Sequence, residues 1–246
     1  NELYTNAARN NAGGHNSIFR GKNLGTSYTS AMSKAIQSGT FDDLFVGDYL
    51  TINGTVYRVA GFNLGKQIGD NTSMGNSMCL VPDSALYNAQ MHNTDSGQYT
   101  EGAAANTTTG AYANSDMRTA NLAQATQKIV SDFGSSHVMS YRDILPNATA
   151  DGQASGWAWY DCKVELMSET MVYGTKVWAN SGYEVGCINS QFPLFALAPE
   201  YIHRRFNYWL RGVRSATSFC YVNGTGYASY YHASNSFGVR PFFFVN

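Results

Sequence analysis

Charge is scarce in this chain. Asp, Glu, Lys and Arg supply 13% of its 246 residues, about half of the ~25% usual in soluble domains, so solubility must rest on neutral polar groups. The formal net charge is −1 with no basic stripe, which leaves no electrostatic footprint for nucleic acid. No apolar run approaches the ~20 residues of a membrane span, and no charged-then-apolar leader is visible, so membrane insertion is not expected. Cysteine is sparse: Cys79, Cys162, Cys187 and Cys220 lie far apart, without a CxxC pair or a histidine at ligand spacing. They read as free or buried thiols, and no metal or other cofactor is expected. His15, His92, His137, His203 and His232 form no HxxxH or HExxH group, and no GxSxG elbow or GxxxxGK[ST] loop occurs. Glu165 and Glu169 would share a face if their stretch were helical, the placement a glycosidase pair would need. The strand-like pattern before them weakens that reading, so enzymatic function has no positive support.

What is present is organised by turns and alternation. Residues 1 to 28 are rich in Asn and Gly with few apolar anchors, which suggests an arm or linker to an upstream region, loose or packed on a neighbouring subunit. Residues 29 to 246 then form the main domain. "DYLTINGTVYRVAGF", 48 to 62, has two alternating runs around Asn53-Gly54, a pair suited to a type I′ turn, and predicts a hairpin. "SMCLVP", 77 to 82, reads as a short buried strand ended by Pro82. The segment 92 to 114 has no period and predicts a long surface loop. From 115 to 134, Ser115 is a candidate N-cap, Met117, Leu122, Ala125, Ile129 and Phe133 fall on one face, and Gly134 is a stop. This predicts the main helix. "SHVMSYRDILP" predicts a strand and then a short helical turn before Pro146. Trp157 and Trp159, two apart in an extended segment, are a sugar-stacking platform or, more simply, core packing, which is the expectation adopted. After "FPLFAL" come "NYWLRGV", "SFCYV", "YASYY" and "GVRPFFFV", strands joined by Gly-rich turns. One main helix ahead of a run of strands predicts an α+β domain with antiparallel strands and long loops.

The stretch "YVNGTGYASYYHASNSFGVRP", 221 to 241, has four tyrosines among Ser, Asn and Gly and almost no charge. Trp209 and Leu210 in "YWLRGV", with Gly238 and Pro241 in "FGVRP", read as rigid anchors. Arg211 and Arg240 read as bonding backbone carbonyls or a buried acid. Phe219, Val222 and Ala228 can face inwards. The expected contact set is Arg205, Phe206, Gly212, Arg214, Thr217, Ser218, Tyr221, Asn223, Tyr227, Ser229, Tyr231, His232, Asn235, Ser236 and Phe237. Such a mixture suits binding, since Tyr offers a large amphipathic area with little rotamer entropy to lose, while small polar residues adapt their hydrogen bonds.

"NYWLRGVRSATSFCYVNGTGYASYYHASNSFGVRP", with "SGWAWYDCKVELMSETMVYG" and "GTFDDLFVGDYLTINGTVYRVAGF" upstream, resembles phage tail-fibre and adhesin proteins that end in a C-type-lectin-like domain. Within that group it is similar to the variable proteins of diversity-generating retroelements, relatives of phage tropism determinants. The resemblance implies a fixed scaffold that includes Trp209, Leu210, Arg211, Gly226, Gly238, Val239, Arg240 and Pro241, with the contact set rewritten by adenine-directed copying. It further implies a homotrimeric, extracellular virion protein that binds a bacterial surface protein or glycan and contacts other virion subunits. No Glu-Pro-Asn or Trp-Asn-Asp triplet points to calcium-dependent sugar binding, and the late cysteines do not match the motif of the related formylglycine-generating enzymes. A capsid or baseplate component with its tyrosines at a subunit interface, and an envelope-degrading enzyme using Asp161, Glu165 and Glu169, are the competing expectations.

Overall fold

The computed structural model describes residues 11–93, 106–180 and 186–246. It is an α+β arrangement dominated by antiparallel strands. The first sheet runs in the order β1 (Tyr49–Ile52), β2 (Thr55–Phe62), β3 (Met78–Pro82), β12 (Pro241–Val245), β7 (Val164–Leu166). The second runs β10 (Ala228–His232), β9 (Ser218–Val222), β8 (Tyr208–Val213), β11 (Phe237–Gly238), β4 (Asn88–Ala89). A separate ribbon pairs β5 (Tyr141–Ala150) with β6 (Gln153–Cys162). Among the named strands, only β8 and β11 pair in parallel.

The expected hairpin is present as β1–β2, and Asn53 (φ 47°) and Gly54 (φ 78°) both take the positive φ that a type I′ turn needs. "FFFV" follows Pro241 at the start of β12 and is wholly buried, because that strand lies between β3 and β7 with both faces covered. The main helix, α3 (Leu122–Phe133), follows a π-helical turn at Met117–Asn121, and the buried residues of the two are the predicted five. Its Phe133 ring meets Tyr57 at 5.0 Å and Phe243 at 5.1 Å, so the helix seals the first sheet through aromatic edges. Four short α-helices, α1 (Ala12–Asn16), α2 (Ser30–Ser38), α4 (Glu169–Tyr173) and α5 (Pro193–Leu197), and a 3-10 turn at Pro199–Tyr201 complete the count among the described residues.

Several expectations are corrected. Residues 11 to 28 are docked on their own chain: His15 is buried and its Nδ1 lies 2.6 Å from the Leu44 carbonyl, the Asn16 side chain bonds both backbone groups of Phe62, and Phe19 and Asn23 bridge to Val46 and Tyr49. The first ten residues of the expected arm lie outside the described residues. The expected loop 92 to 114 is described at 92, 93 and from 106 onward, and there it is not a surface loop, since His92, Thr108, Ala111, Tyr112 and Ala113 are buried. No helical turn precedes Pro146. The strand runs through it, and the ladder shifts register between Pro146 and Ala148, a bulge that accommodates a residue without an N–H. Trp157 and Trp159 are not core residues: they remain 45% and 37% exposed on the outer face of β6.

Candidate functional site

The C-terminal strands carry the candidate surface, and buried polar contacts pin them from below. Arg211, on β8, donates from Nη1 to Asp143 Oδ2 at 2.8 Å, with both side chains out of water. The same carboxylate accepts the backbone N–H of Cys187 at 2.6 Å and of Ile144 at 2.9 Å, tying β8 to the β5–β6 ribbon. Arg240 donates from Nε to the Pro82 carbonyl at 2.8 Å and stacks near Tyr208 and Phe195. Burial makes its proton easier to lose than an ordinary arginine's, with Tyr208 and Asp83 opposing. Trp209 is fully buried and its indole N–H bonds the Ala89 carbonyl at 2.9 Å. A Cβ on Gly238 would stand 2.7 Å from that of Ala85 and 2.9 Å from the Asn207 carbonyl, so only glycine lets β11 pass. The anchors read from sequence are therefore anchors, and the two arginines bond an acid and a carbonyl as expected.

On this frame the rings of Tyr221, Tyr231 and Phe237 form one cluster. Phe237 lies 4.6 Å from Tyr221, 5.8 Å from Tyr231 and 4.7 Å from the supporting Trp209. Ser229 pairs with Tyr221 across the ladder and joins the same face. Tyr231 is 46% exposed, and Tyr227, in the turn between β9 and β10, is 72% exposed. Arg205, at φ 60°, and Phe206 lie against that turn, where a Cβ on Gly224 would meet their backbone. His232 and Ser236 are exposed, while Thr217 and Asn235 are half-buried.

The expected contact set does not form one patch. Side chains alternate along a strand, so Tyr230 points away from the face that holds Tyr231, while His232, at the strand end, keeps its ring 5.6 Å from that of Tyr231. On that opposite side Tyr230 packs edge-on to Trp178 at 5.1 Å, and Arg214 lies over both rings. Trp178 and Tyr230 were not expected there. Tyr230 was legible from the two-residue period of "YASYY", whereas Trp178 comes from a distant loop and left no local signal. Three members of the set are structural. Gly212 is buried under Ala179 and Cys220, Ser218 is buried in the ladder, and the Asn223 carboxamide oxygen accepts from Thr225 N, Thr225 Oγ1 and Tyr227 N at 3.0, 2.8 and 3.0 Å, building the turn rather than reaching out of it.

Compared with known proteins, the chain matches no family model, no curated protein and no solved structure.

The acid pair behaves differently from the glycosidase pattern. Glu165 lies on β7 and Glu169 opens α4, so they share no helix face. Glu165 accepts the Tyr112 hydroxyl at 2.6 Å and Arg118 Nε at 3.0 Å. Burial raises its pKa, against the pull of Arg118 and Tyr112. Glu169 accepts the backbone N–H groups of Val177, Trp178 and Ala179 at 2.8 to 3.0 Å, and so holds the loop that delivers Trp178. The four cysteines are buried and outside any disulfide, and burial, then the nearby Asp143, pushes the Cys187 thiol up to about 11. Among the described residues no group of His, Cys, Asp and Glu is arranged to hold a metal, and no helix is long and apolar enough to cross a membrane.

Proposed function

We propose that this chain is the receptor-binding module of a phage tail fibre, a C-type-lectin-like frame whose C-terminal strands grip a bacterial surface protein or glycan without bond chemistry. One observation carries the reading. Tyr221, Tyr231 and Phe237 form a contiguous, partly exposed ring cluster seated on buried Trp209, on strands pinned by buried arginines. Rigid aromatic area bordered by Ser229, His232 and Ser236 is what a paratope offers, and its support does not depend on which small or aromatic residues occupy the rim. The frame residues Trp209, Arg211, Gly238 and Arg240 are buried, while Tyr227, Tyr231, His232 and Ser236 are exposed, a division suited to diversification of the second group alone. In a homotrimeric fibre several weak sites act together, since a second contact becomes intramolecular.

The test is the triple variant Y221A/Y231A/H232A. Host attachment by particles should be lost while folding and fibre assembly persist; loss of assembly with a folded chain would instead place these rings at a subunit contact and sink the adhesin reading. A near-copy of codons 204 to 241 in neighbouring DNA, differing chiefly at adenines, is the expected genetic counterpart.

A further inference from the structure

The outer face of β6 carries a feature that the C-terminal surface does not explain. Ser155, Trp157, Trp159 and Asp161 all point outwards, while Ala154 and Cys162 close the two ends into the core. Successive members stand about 6.6 Å apart along the strand. Opposite them on β5 lie Pro146, Ile144 and Arg142, so the indoles rest on an apolar ribbon that ends in charge. At that end Arg142 is held between two carboxylates: its Nε donates to Asp70 at 2.9 Å and its Nη1 to Asp161 at 3.0 Å. The triad borders a cleft of about 430 Å³ whose lining includes Asn71 and Ser73. Gly69, next to Asp70, lies against the indole edge: a Cβ there would stand 2.4 Å from Trp159. The cleft and the aromatic strip are therefore continuous.

We propose that this strip is a second binding site, for an uncharged oligosaccharide chain. Shape is the first argument. The support is two strands wide, roughly 5 Å between strand axes, too narrow for the ~800 Å² per partner of an ordinary protein interface, but long enough for a ligand one sugar wide. Chemistry is the second. The apolar C–H face of a pyranose fits the electron-rich face of an indole, and the hydrogen-bonded guanidinium and carboxylates of Arg142, Asp70 and Asp161 offer donors and acceptors to the hydroxyls on the sugar's rim. Charge is the third. Asp70, Arg142 and Asp161 sum to −1, so an anionic polymer meets no attraction here. The site does not depend on the adhesin reading, because neither tryptophan lies on the C-terminal sheet.

The experiment is saturation-transfer NMR with calorimetric titration of the whole chain against three probes: hexamers of α-1,4-linked glucose, β-1,4-linked glucose and β-1,4-linked N-acetylglucosamine. At least one should bind with a Kd on the order of 1 mM. W157A and W159A should each weaken it about tenfold, the loss of one stacked ring. W159F should retain part of the affinity, and D161N should lose less than either alanine variant. Y221A/Y231A/H232A should bind the sugar unchanged, which separates this site from the C-terminal one. Three outcomes overturn the proposal: no transfer to any hexamer at about 10 mM, binding indifferent to both tryptophans in variants with unchanged circular dichroism, or W157A/W159A abolishing self-association with no sugar bound by the parent chain.

Discussion

Replacing Arg211 by Met should unmask how strongly the C-terminal sheet is bolted to the rest of the molecule. The Arg211–Asp143 pair is excluded from water on both sides, at 1% and 0% side-chain exposure, so solvent screening does little to discount it. Removing the guanidinium leaves a carboxylate whose Oδ1 still accepts the backbone N–H groups of Cys187 and Ile144 but whose Oδ2 has lost the Arg211 donor, one charge short of balance. Breaking a buried pair in this way costs about 3–5 kcal/mol, a large share of the roughly 5–15 kcal/mol that holds a typical domain folded. D143N makes the complementary cut, since its amide oxygen still accepts both N–H groups while the charge is gone. The double variant R211M/D143N buries no lone charge, so its cost should fall short of the two single costs combined by about 2 kcal/mol or more. Urea unfolding followed by tryptophan fluorescence gives all three values. Additivity within about 0.5 kcal/mol, or a cost of R211M below about 1 kcal/mol, would refute the claim that this pair anchors β8.

Further outcomes follow from individual positions. Gly238→Ala forces a Cβ into Ala85 and the Asn207 carbonyl, and should cost about 1–3 kcal/mol in thermal or chemical unfolding; an unchanged midpoint would contradict the close approach of β11. Asn223→Ala removes the acceptor that closes the β9–β10 turn and should destabilise by about 1–2 kcal/mol, whereas Tyr227→Ala, at a ring that is 72% exposed, should stay within about 0.5 kcal/mol. His92 gives a pH dependence. Burial depresses its pKa below 6.5, against the opposing pull of Asp116 at 3.7 Å. The fold therefore takes up a proton less readily than the unfolded chain, and this contribution is present above the ordinary histidine value and is lost as pH falls below it. H92Q should flatten the drop in unfolding midpoint between about pH 7 and about pH 5; an identical slope in the variant would assign the dependence to other groups.

How far these features can be read without coordinates depends on how local their causes are. The Asn53-Gly54 hairpin and the inward face of α3 follow from neighbours one to four residues apart, and the structure has both. The buried roles of Arg211 and Arg240 were legible because a lone arginine in an apolar strand needs an acceptor, though not which one: Asp143 and Pro82 lie 68 and 158 residues away. Trp157 and Trp159 misled because a tryptophan pair in a strand is ordinarily core, and what leaves them partly in water is that β5 and β6 form a separate two-stranded ribbon whose outer face is only partly covered. Asn223 looked like a contact residue because a polar side chain in a turn serves the loop and a ligand equally well in sequence.

Composition and short-range pattern by themselves determined that this is a weakly charged α+β chain with an aromatic, neutral C-terminal segment, since solubility, turn geometry and face periodicity depend on residue types and near spacing alone. Tertiary structure alone decided which of those aromatics meet. It set Tyr221, Tyr231 and Phe237 over Trp209, brought Trp178 from a distant loop against Tyr230, and left two indoles of β6 partly in solvent. Ring contacts of that kind are made between strands brought together by long-range pairing, and no local signal encodes which face of a sheet will be covered.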